Sequence, residues 1–582
     1  MRSELTWMVG GQQGEGIEST GHILSAGLNR LGYHIYGYRT FSSRIKGGHT
    51  NFRIRIATRR VLANSDQVDV LIAFDRDSIR RNAEQLADGA VIVYDHGEPE
   101  PELPEAGPGT LVVGVPMSRI ARELGGVIMK NMVGTGASAA LLGLPAESFE
   151  SMIAERFGGK GEKVVEANLQ AFRAGYRGIA DQGERFSTLR LTPGDGQRRY
   201  MMTGDDAAAF GALVGGCRFI SAYPITPATD IMHWLVPRLP RYGGVVVQAE
   251  DEIAAITLAI GAGYAGVRAM TSTSGPGFSL MMEALGFAGM IEAPVVIVDV
   301  QRAGPSTGMP TKHEQSDLFE MLYGSHGDLP RVVLAPATAE ECFYGAAEAF
   351  NLAERYQTPV VLAMDLAVGL ANQTVEHIAF DRVHIDRGLV ASSDQLAPDD
   401  ADFKRYRFTE SGISPRSLPG MTGGLHLATG VEHDETGHIT EDRRNRVQMT
   451  DKRLRKFRSV ELNGTIPPIT FDGPEAADVL LLGWGSTYGP LAEARERLEQ
   501  QGAGVAHGHI RLLEPLPVSA LAARISQARR VVVVENSARG QLARLLRQEI
   551  GTADKDRLHS MLKYDGSPFL PSEIVRECEA ML

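Results

Sequence analysis

The chain has 582 residues, enough at the usual domain size for roughly three to five domains. Its 43% hydrophobic and 22% charged composition is that of an ordinary globular protein. A net charge of −12 argues against a general nucleic-acid or anionic-membrane binder. No apolar run approaches the ~18 residues needed to span a bilayer. The N-terminus MRSELTWMVGGQQGEG lacks the apolar stretch of a signal peptide, so a cytoplasmic location is expected. Cys217, Cys342 and Cys578 lie far apart. They make neither a CxxC metal pair, nor a four-cysteine iron–sulfur site, nor a disulfide framework, and no metal site is expected.

From the N-terminus, TWMV, YHIYGY, VDVLIAFD, AVIVYD and TLVVGV are short apolar segments separated by helix-like stretches. That alternation over residues 5–116 is the pattern of a parallel α/β sheet. Residues 117–180 read as mostly helical, and the polar stretch around 186–203 as a linker after a first domain over 1–185. A second α/β domain, 204–384, carries the strands CRFISA, GVVVQA, VRAMTST, APVVIVDV, RVVLAP and TPVVLAMD. Residues 385–470 are rich in Pro, Gly and charge and read as an irregular insert. The alternation returns over 471–582. Three tandem α/β domains are expected.

The first turn, from Gly10 through Gly11 and Gly14 to Gly16, follows a strand and opens a helix. Its amides suit a phosphate cradle, and a tight packing turn explains it equally well. The spacing is not GxGxxG, and no acidic residue ends the second strand, so a nicotinamide site is not expected. Arg44 and Lys46 in the following SRIKGG loop add two cations, in keeping with an anionic ligand or a solvated loop.

In the second domain four unusual loops each follow a strand: Tyr223-Pro224-Ile225-Thr226-Pro227, Glu250-Asp251-Glu252, Ser274-Gly275-Pro276-Gly277, and the run from Gln301 to Thr311. In a parallel sheet these crowd the carboxyl edge, where α/β ligand sites form. Thr226, Thr307 and Thr311 offer uncharged hydroxyls, and Arg302 a fork suited to a carboxylate. Glu252 heads a small-residue helix, where it could bond a heterocyclic nitrogen or simply favour the helix dipole.

Taken together, YPITP at 223–227, QAEDEIAA at 248–255, TSGPG at 273–277 and QRAGPSTGMPT at 301–311 resemble the α subunit of 2-oxoacid:ferredoxin oxidoreductases. GGQQGEGI and SRIKGG look like that family's γ subunit, fused upstream. The resemblance implies a γ-like Rossmann-type domain, a pyrimidine-binding domain for thiamine diphosphate, and a transketolase C-terminal-like domain. It implies that Glu252 bonds the aminopyrimidine, with Tyr223, Pro224, Ile225, Ser274 and Gly275 around the cofactor. Thr226 and Arg302 would hold the substrate carboxylate and Thr307 and Thr311 line its pocket, while Lys312 and His313 approach a second carboxylate. Gly11, Gly14, Gly16, Arg44 and Lys46 would meet coenzyme A or an interface.

Thiamine enzymes bind diphosphate and Mg²⁺ through a GDG followed further on by Asn. Here Gly194-Asp195-Gly196 sits in the linker and residues 218–230 contain no Asn. The resemblance therefore implies a separate β subunit carrying the diphosphate end and a [4Fe-4S] cluster, an (αβ)₂ assembly, and ferredoxin as electron acceptor. The RAGPSTGMPTKHEQSDL stretch looks most like the 2-oxoglutarate members, which form succinyl-coenzyme A. Pyruvate or a broad range of 2-oxoacids is the alternative, and oxidation and reductive CO₂ fixation, as in a reductive TCA cycle, both stay open. A self-sufficient thiamine decarboxylase or transketolase lacks its diphosphate signature here. A non-catalytic scaffold would not need Thr226, Glu252 and Arg302. The eight Lys/Arg residues from Arg443 to Arg458 read as a solvated face or as a contact for an acidic partner such as ferredoxin.

Overall fold

The computed structural model describes residues 1–43, 47–97, 108–396, 403–460, 462, 466–550 and 557–582. The chain forms two compact units.

The first unit comprises residues 1–202, 370–377 and 570–573. Its eight-stranded sheet runs Leu111–Val115, Leu86–Asp95, Val68–Ala73, Glu4–Gln12, His49–Ala57, His34–Thr40, Asn372–Val375, Tyr200–Met202. Only the first four of these strands pair in parallel with their neighbours. His49–Ala57 enters antiparallel between Glu4–Gln12 and His34–Thr40, so the sheet is mixed where a parallel one was expected. The reason is visible in HTNFRIRIA: Phe52, Ile54 and Ile56 alternate with Arg53 and Arg55, giving one apolar face of period two. The stretch expected as a linker is partly threaded into this sheet. Tyr200–Met202 pairs with Asn372–Val375, and Arg199 joins Asp195 at 2.6 Å to Glu376 at 2.8 Å. Asp195 of the GDG thus belongs to a structural ion-pair network.

The second unit comprises residues 203–369, 378–569 and 574–582. Its larger sheet runs Leu512–Glu514, Val332–Leu334, Pro359–Asp365, Val295–Gln301, Ala269–Thr273, Phe219–Ala222, Val245–Gln248. The six strands from the second domain are parallel. Val295–Gln301 is buried along its whole length, as a strand covered on both faces must be. The smaller sheet runs Ile469–Asp472, Val505–Ile510, Val479–Trp484, Arg530–Glu535, Leu558–Leu562. The third region is not a separate bead. It lends Leu512–Glu514 to the larger sheet, and Ile297, Phe278, Leu482, Trp484 and Val533 share one apolar core.

Among its described residues the insert is irregular apart from short 3₁₀ turns, the helix Arg443–Arg455 and the start of the strand Ile469–Asp472. That basic helix is not simply a solvated face. Lys452 and Lys456 reach the buried carboxylate of Glu292 at 2.5 and 2.7 Å, and Arg446 and Arg453 grip Glu432. A second clamp gathers Arg268, Arg387 and Arg416 on Glu354. Among the described residues, no helix is long and apolar enough to cross a membrane.

Candidate functional site

The four loops singled out in the sequence all leave the carboxyl ends of parallel strands in the larger sheet. Glu252 opens the helix Glu252–Tyr264, whose N-cap Asp251 accepts the Ala254 amide at 2.8 Å. Asp251 thus does the capping, and the Glu252 side chain is left to turn inward, 6% exposed. Gly277 keeps the space beside it: a Cβ there would lie 2.6 Å from Glu252 Oε1 and 2.2 Å from Thr273 Oγ1.

Arg302 follows the strand Val295–Gln301 and is also 6% exposed. Its Nη1 donates to the Thr226 carbonyl at 2.6 Å and its Nη2 to the Thr307 carbonyl at 3.4 Å. The Nε hydrogen is buried without an acceptor. Among the described residues no carboxylate pairs with this guanidinium. Burial lowers its pKa, while the fields of Asp317 and Glu252 oppose that shift. A buried cation held by carbonyls alone carries a net positive field, which is what recognition of an anion requires.

Arg302 looks onto an open cleft of about 590 Å³. Gly275 and Asp317 share its wall, and the third region supplies Ser537, Arg539 and Tyr564 from the opposite side. Gln541 fastens the two sides, donating to the Ser316 carbonyl at 2.6 Å and accepting the Phe319 amide at 2.8 Å. The sequence reading missed this second wall. The signal was the NSARGQ loop directly after the strand Arg530–Glu535, another strand-end loop.

Tyr223 is exposed, while Pro224, Ile225 and Thr226 are half-buried. Ser274 is wholly buried with an orphaned hydroxyl, and a Cβ on Gly275 would meet Asp317 Oδ2 at 2.7 Å. Thr307 is exposed and Thr311 half-buried. It is the Thr226 and Thr307 carbonyls, rather than their hydroxyls, that touch Arg302.

His313 and Lys312, expected near a second carboxylate, lie apart from the lining of the cleft. His313 is wholly buried and faces the core, with Nδ1 3.7 Å from Asp365 and Nε2 3.3 Å from Ser486. Burial lowers its pKa, so it stands as a neutral group inside the protein. There it joins Gln315, which donates to Asp365 and the Trp484 carbonyl, in tying the second and third regions together. It does not line the Arg302 cleft. Lys312 is half-buried, its stem against Gly566, and burial lowers its pKa too.

In the first unit the Gly-rich turn borders a cleft of about 460 Å³ lined by Gln13, Gly14, Gly16, Arg39, Phe41 and Asn51 among others. Gly14 is open, with φ 102°, and Gly16 caps the helix Ile17–Arg30 in the left-handed region. Gly11 does not line the cleft. A Cβ there would strike Ile17 Cδ1 at 2.6 Å, so this glycine serves packing. Arg39, not singled out in the sequence as a ligand, stands in the cleft bonded to Glu18 and over Phe41. Arg44 and Lys46 lie outside the described residues.

Comparison with known proteins follows the same division. The thiamine diphosphate-binding family of pyruvate flavodoxin/ferredoxin oxidoreductases matches residues 210–452, and the pyruvate ferredoxin/flavodoxin oxidoreductase family matches residues 6–178. A 2-oxoacid:ferredoxin oxidoreductase α subunit from Aeropyrum pernix is 34% identical, covering 100% of this chain and 98% of its own. The 2-oxoglutarate oxidoreductase subunit KorA of Mycobacterium tuberculosis is 33% identical over 98% of this chain and 90% of its own. The solved structure of a 2-oxoglutarate:ferredoxin oxidoreductase from Magnetococcus marinus, with 2-oxoglutarate, coenzyme A and succinyl-CoA bound, is 37% identical. It covers 100% of both chains with a TM-score of 0.92.

Proposed function

This chain belongs to the 2-oxoacid:ferredoxin oxidoreductase family as an α subunit, and we propose that its own 2-oxoacid is 2-oxoglutarate. In the proposed reaction 2-oxoglutarate, coenzyme A and oxidised ferredoxin give succinyl-coenzyme A, CO₂ and reduced ferredoxin, reversibly. The Arg302 corner carries the 2-oxoacid part of the reading: a buried guanidinium without a carboxylate partner among the described residues, bonded to the Thr226 loop and within the field of Glu252. Likeness to the Magnetococcus marinus enzyme and to KorA supports 2-oxoglutarate within that class.

The residues fit the pyrimidine end of thiamine diphosphate. Glu252 is buried beside a glycine that a Cβ would fill, and Ser274 holds a buried hydroxyl without a partner. When bound, the cofactor supplies the carbanion chemistry that releases CO₂. Glu252 holds the aminopyrimidine N1′, while Tyr223, Pro224, Ile225, Ser274 and Gly275 shape its seat. Arg302, held in place by the Thr226 and Thr307 carbonyls, orients the 2-oxoacid carboxylate, with Thr226, Thr307 and Thr311 as the candidate hydroxyls of that corner. His313 and Lys312 are left out of this assignment.

The chain has three cysteines, all buried, and a [4Fe-4S] cluster needs four thiolate ligands. That supports placing the cluster on a β subunit, and the tie of Asp195 of the GDG to Arg199 supports placing the diphosphate and its Mg²⁺ there too. The proposed enzyme is a cytoplasmic (αβ)₂ assembly that reduces ferredoxin. The glycine-lined cleft of the first unit is a candidate for the coenzyme A end, with Gly14, Gly16 and Arg39 as its contacts.

The test is co-expression with the β subunit, anaerobic purification, and coenzyme A-dependent dye reduction with 2-oxoglutarate and pyruvate in parallel. Faster turnover with 2-oxoglutarate, found only in the complex, is expected. Turnover with pyruvate alone would overturn the substrate and keep the reaction class.

A further inference from the structure

Four carboxyl side chains crowd the wall of the Arg302 cleft or stand directly behind it: Asp299, Glu314, Asp317 and Glu320. Asp299 lies on the strand Val295–Gln301 and is wholly buried, with neither oxygen meeting a hydrogen-bond donor. It stands beside Thr273 in the sheet register and on the same strand face as Gln301, two residues on. Gln301 Oε1 accepts the Asp317 amide at 3.1 Å, which pins Asp317 behind Arg302. Asp317 Oδ2 is buried without a donor and pressed toward Gly275. Glu320, by contrast, accepts the Ser279 hydroxyl at 2.5 Å, and Glu314 accepts that of Ser316 at 3.0 Å.

A buried carboxylate oxygen with no donor is costly and protonation relieves it, and both oxygens of Asp299 and Oδ2 of the half-buried Asp317 are in that position. We propose that Asp317 is a positioning residue for the 2-oxoacid: held with Asp299 as a pair of neutral acids, it leaves the Arg302 guanidinium uncompensated for the substrate carboxylate. Were Asp317 an anion, its field would offset the Arg302 charge, and an incoming carboxylate would gain less from that guanidinium. The groups facing Asp317 decide which state wins. Glu314 and Glu320 repel its charge and Arg302 attracts it, while Asp299, itself raised well above the ordinary range by burial, is coupled to it. Burial comes first among these causes and the balance holds Asp317 up at about 7. Near neutral pH the corner therefore changes from receptive to partly charge-compensated, and the two carboxyls titrate as one system.

This inference rests on the proposed reaction only for the identity of the anion. Infrared difference spectra of the full chain test the proton directly. At about pH 6 a protonated-carboxyl carbonyl band is expected, fading through about pH 7 and weakened by Asp317→Asn, while Asp299→Asn removes a band that persists to higher pH. In the complex, with coenzyme A saturating, KM for 2-oxoglutarate should rise severalfold between about pH 6 and pH 8.5 while kcat changes little; Asp317→Asn should hold KM low across that range. Absence of the Asp317 band at the acid end, or an unchanged KM profile in Asp317→Asn, would overturn the assignment. A wild-type complex inactive with every 2-oxoacid would refute the proposed reaction, leaving the infrared result to decide the proton.

Discussion

Arg302 and the Lys452–Lys456 pair are buried to nearly the same degree, at 6%, 1% and 2% exposure, yet their partners differ in kind. The lysines close on one carboxylate, Glu292. Burial alone would push that carboxyl up, but the two ammonium groups and Arg405 outweigh it and hold it well below the usual range. Arg302 meets only carbonyls, with an orphaned Nε. A buried cation whose charge is matched inside the chain holds the fold together. One left unmatched points to a ligand.

Breaking the matched site should give the largest effect. Glu292→Ala strands the Lys452 and Lys456 charges, and loss of one partner in a buried pair costs ~3–5 kcal/mol. Urea unfolding of the chain alone should show that loss. A stability equal to wild type would mean that the insert is held by its other contacts.

Breaking the unmatched site should leave the fold intact and strike function. Arg302→Ala should lower kcat/KM ~10- to 100-fold, the equivalent of a lost charge-assisted bond at ~1.5–3 kcal/mol. Its melting temperature should stay near that of wild type. Unchanged kcat/KM would sink the role given to Arg302.

Gly277→Ala sharpens the same contrast from the neighbouring loop. Its Cβ would meet Thr273 Oγ1 and the Glu252 carboxylate, so kcat in the complex should fall by roughly tenfold, with a modest stability loss. Normal turnover in this variant would show that Glu252 tolerates displacement.

The smallest effect concerns stability against pH. Between the ordinary Asp range and about 7, folded Asp317 keeps a proton that the unfolded chain has released. Its contribution to stability therefore falls as pH rises through that window. Asp317→Asn should flatten this part of the melting profile. A slope identical to wild type would mean that Asp317 is ionised in the folded chain.

The strand-end loops were legible because each is a short apolar run ending in residues a helix or strand would not choose: YPITP, SGPG, RAGPSTG. Arg302 and Thr226 were identified as site candidates from these motifs, and the structure brings them into contact. What escaped depends on contacts distant in sequence. Asn372–Val375 has one apolar side chain in four residues, and nothing local sends it to the first unit's sheet. Arg443–Arg455 is dominated by charged and polar residues, and Glu292, some 160 residues earlier, explains why Lys452 is inside. His313 follows the motif that holds Arg302, but Asp365 and Ser486 draw it into the core. The wall bearing Arg539 exists only because two α/β regions share one apolar core.

Thiamine diphosphate binding decides whether this chain supplies one part of a shared active site. Calorimetry should compare this chain alone, its β subunit alone, the complex, and a complex carrying Glu252→Ala. Tight binding by the complex, weakened by Glu252→Ala and absent from the isolated chain, is the predicted result. Tight binding by this chain on its own would contradict the account, because the diphosphate end would then have to be held here.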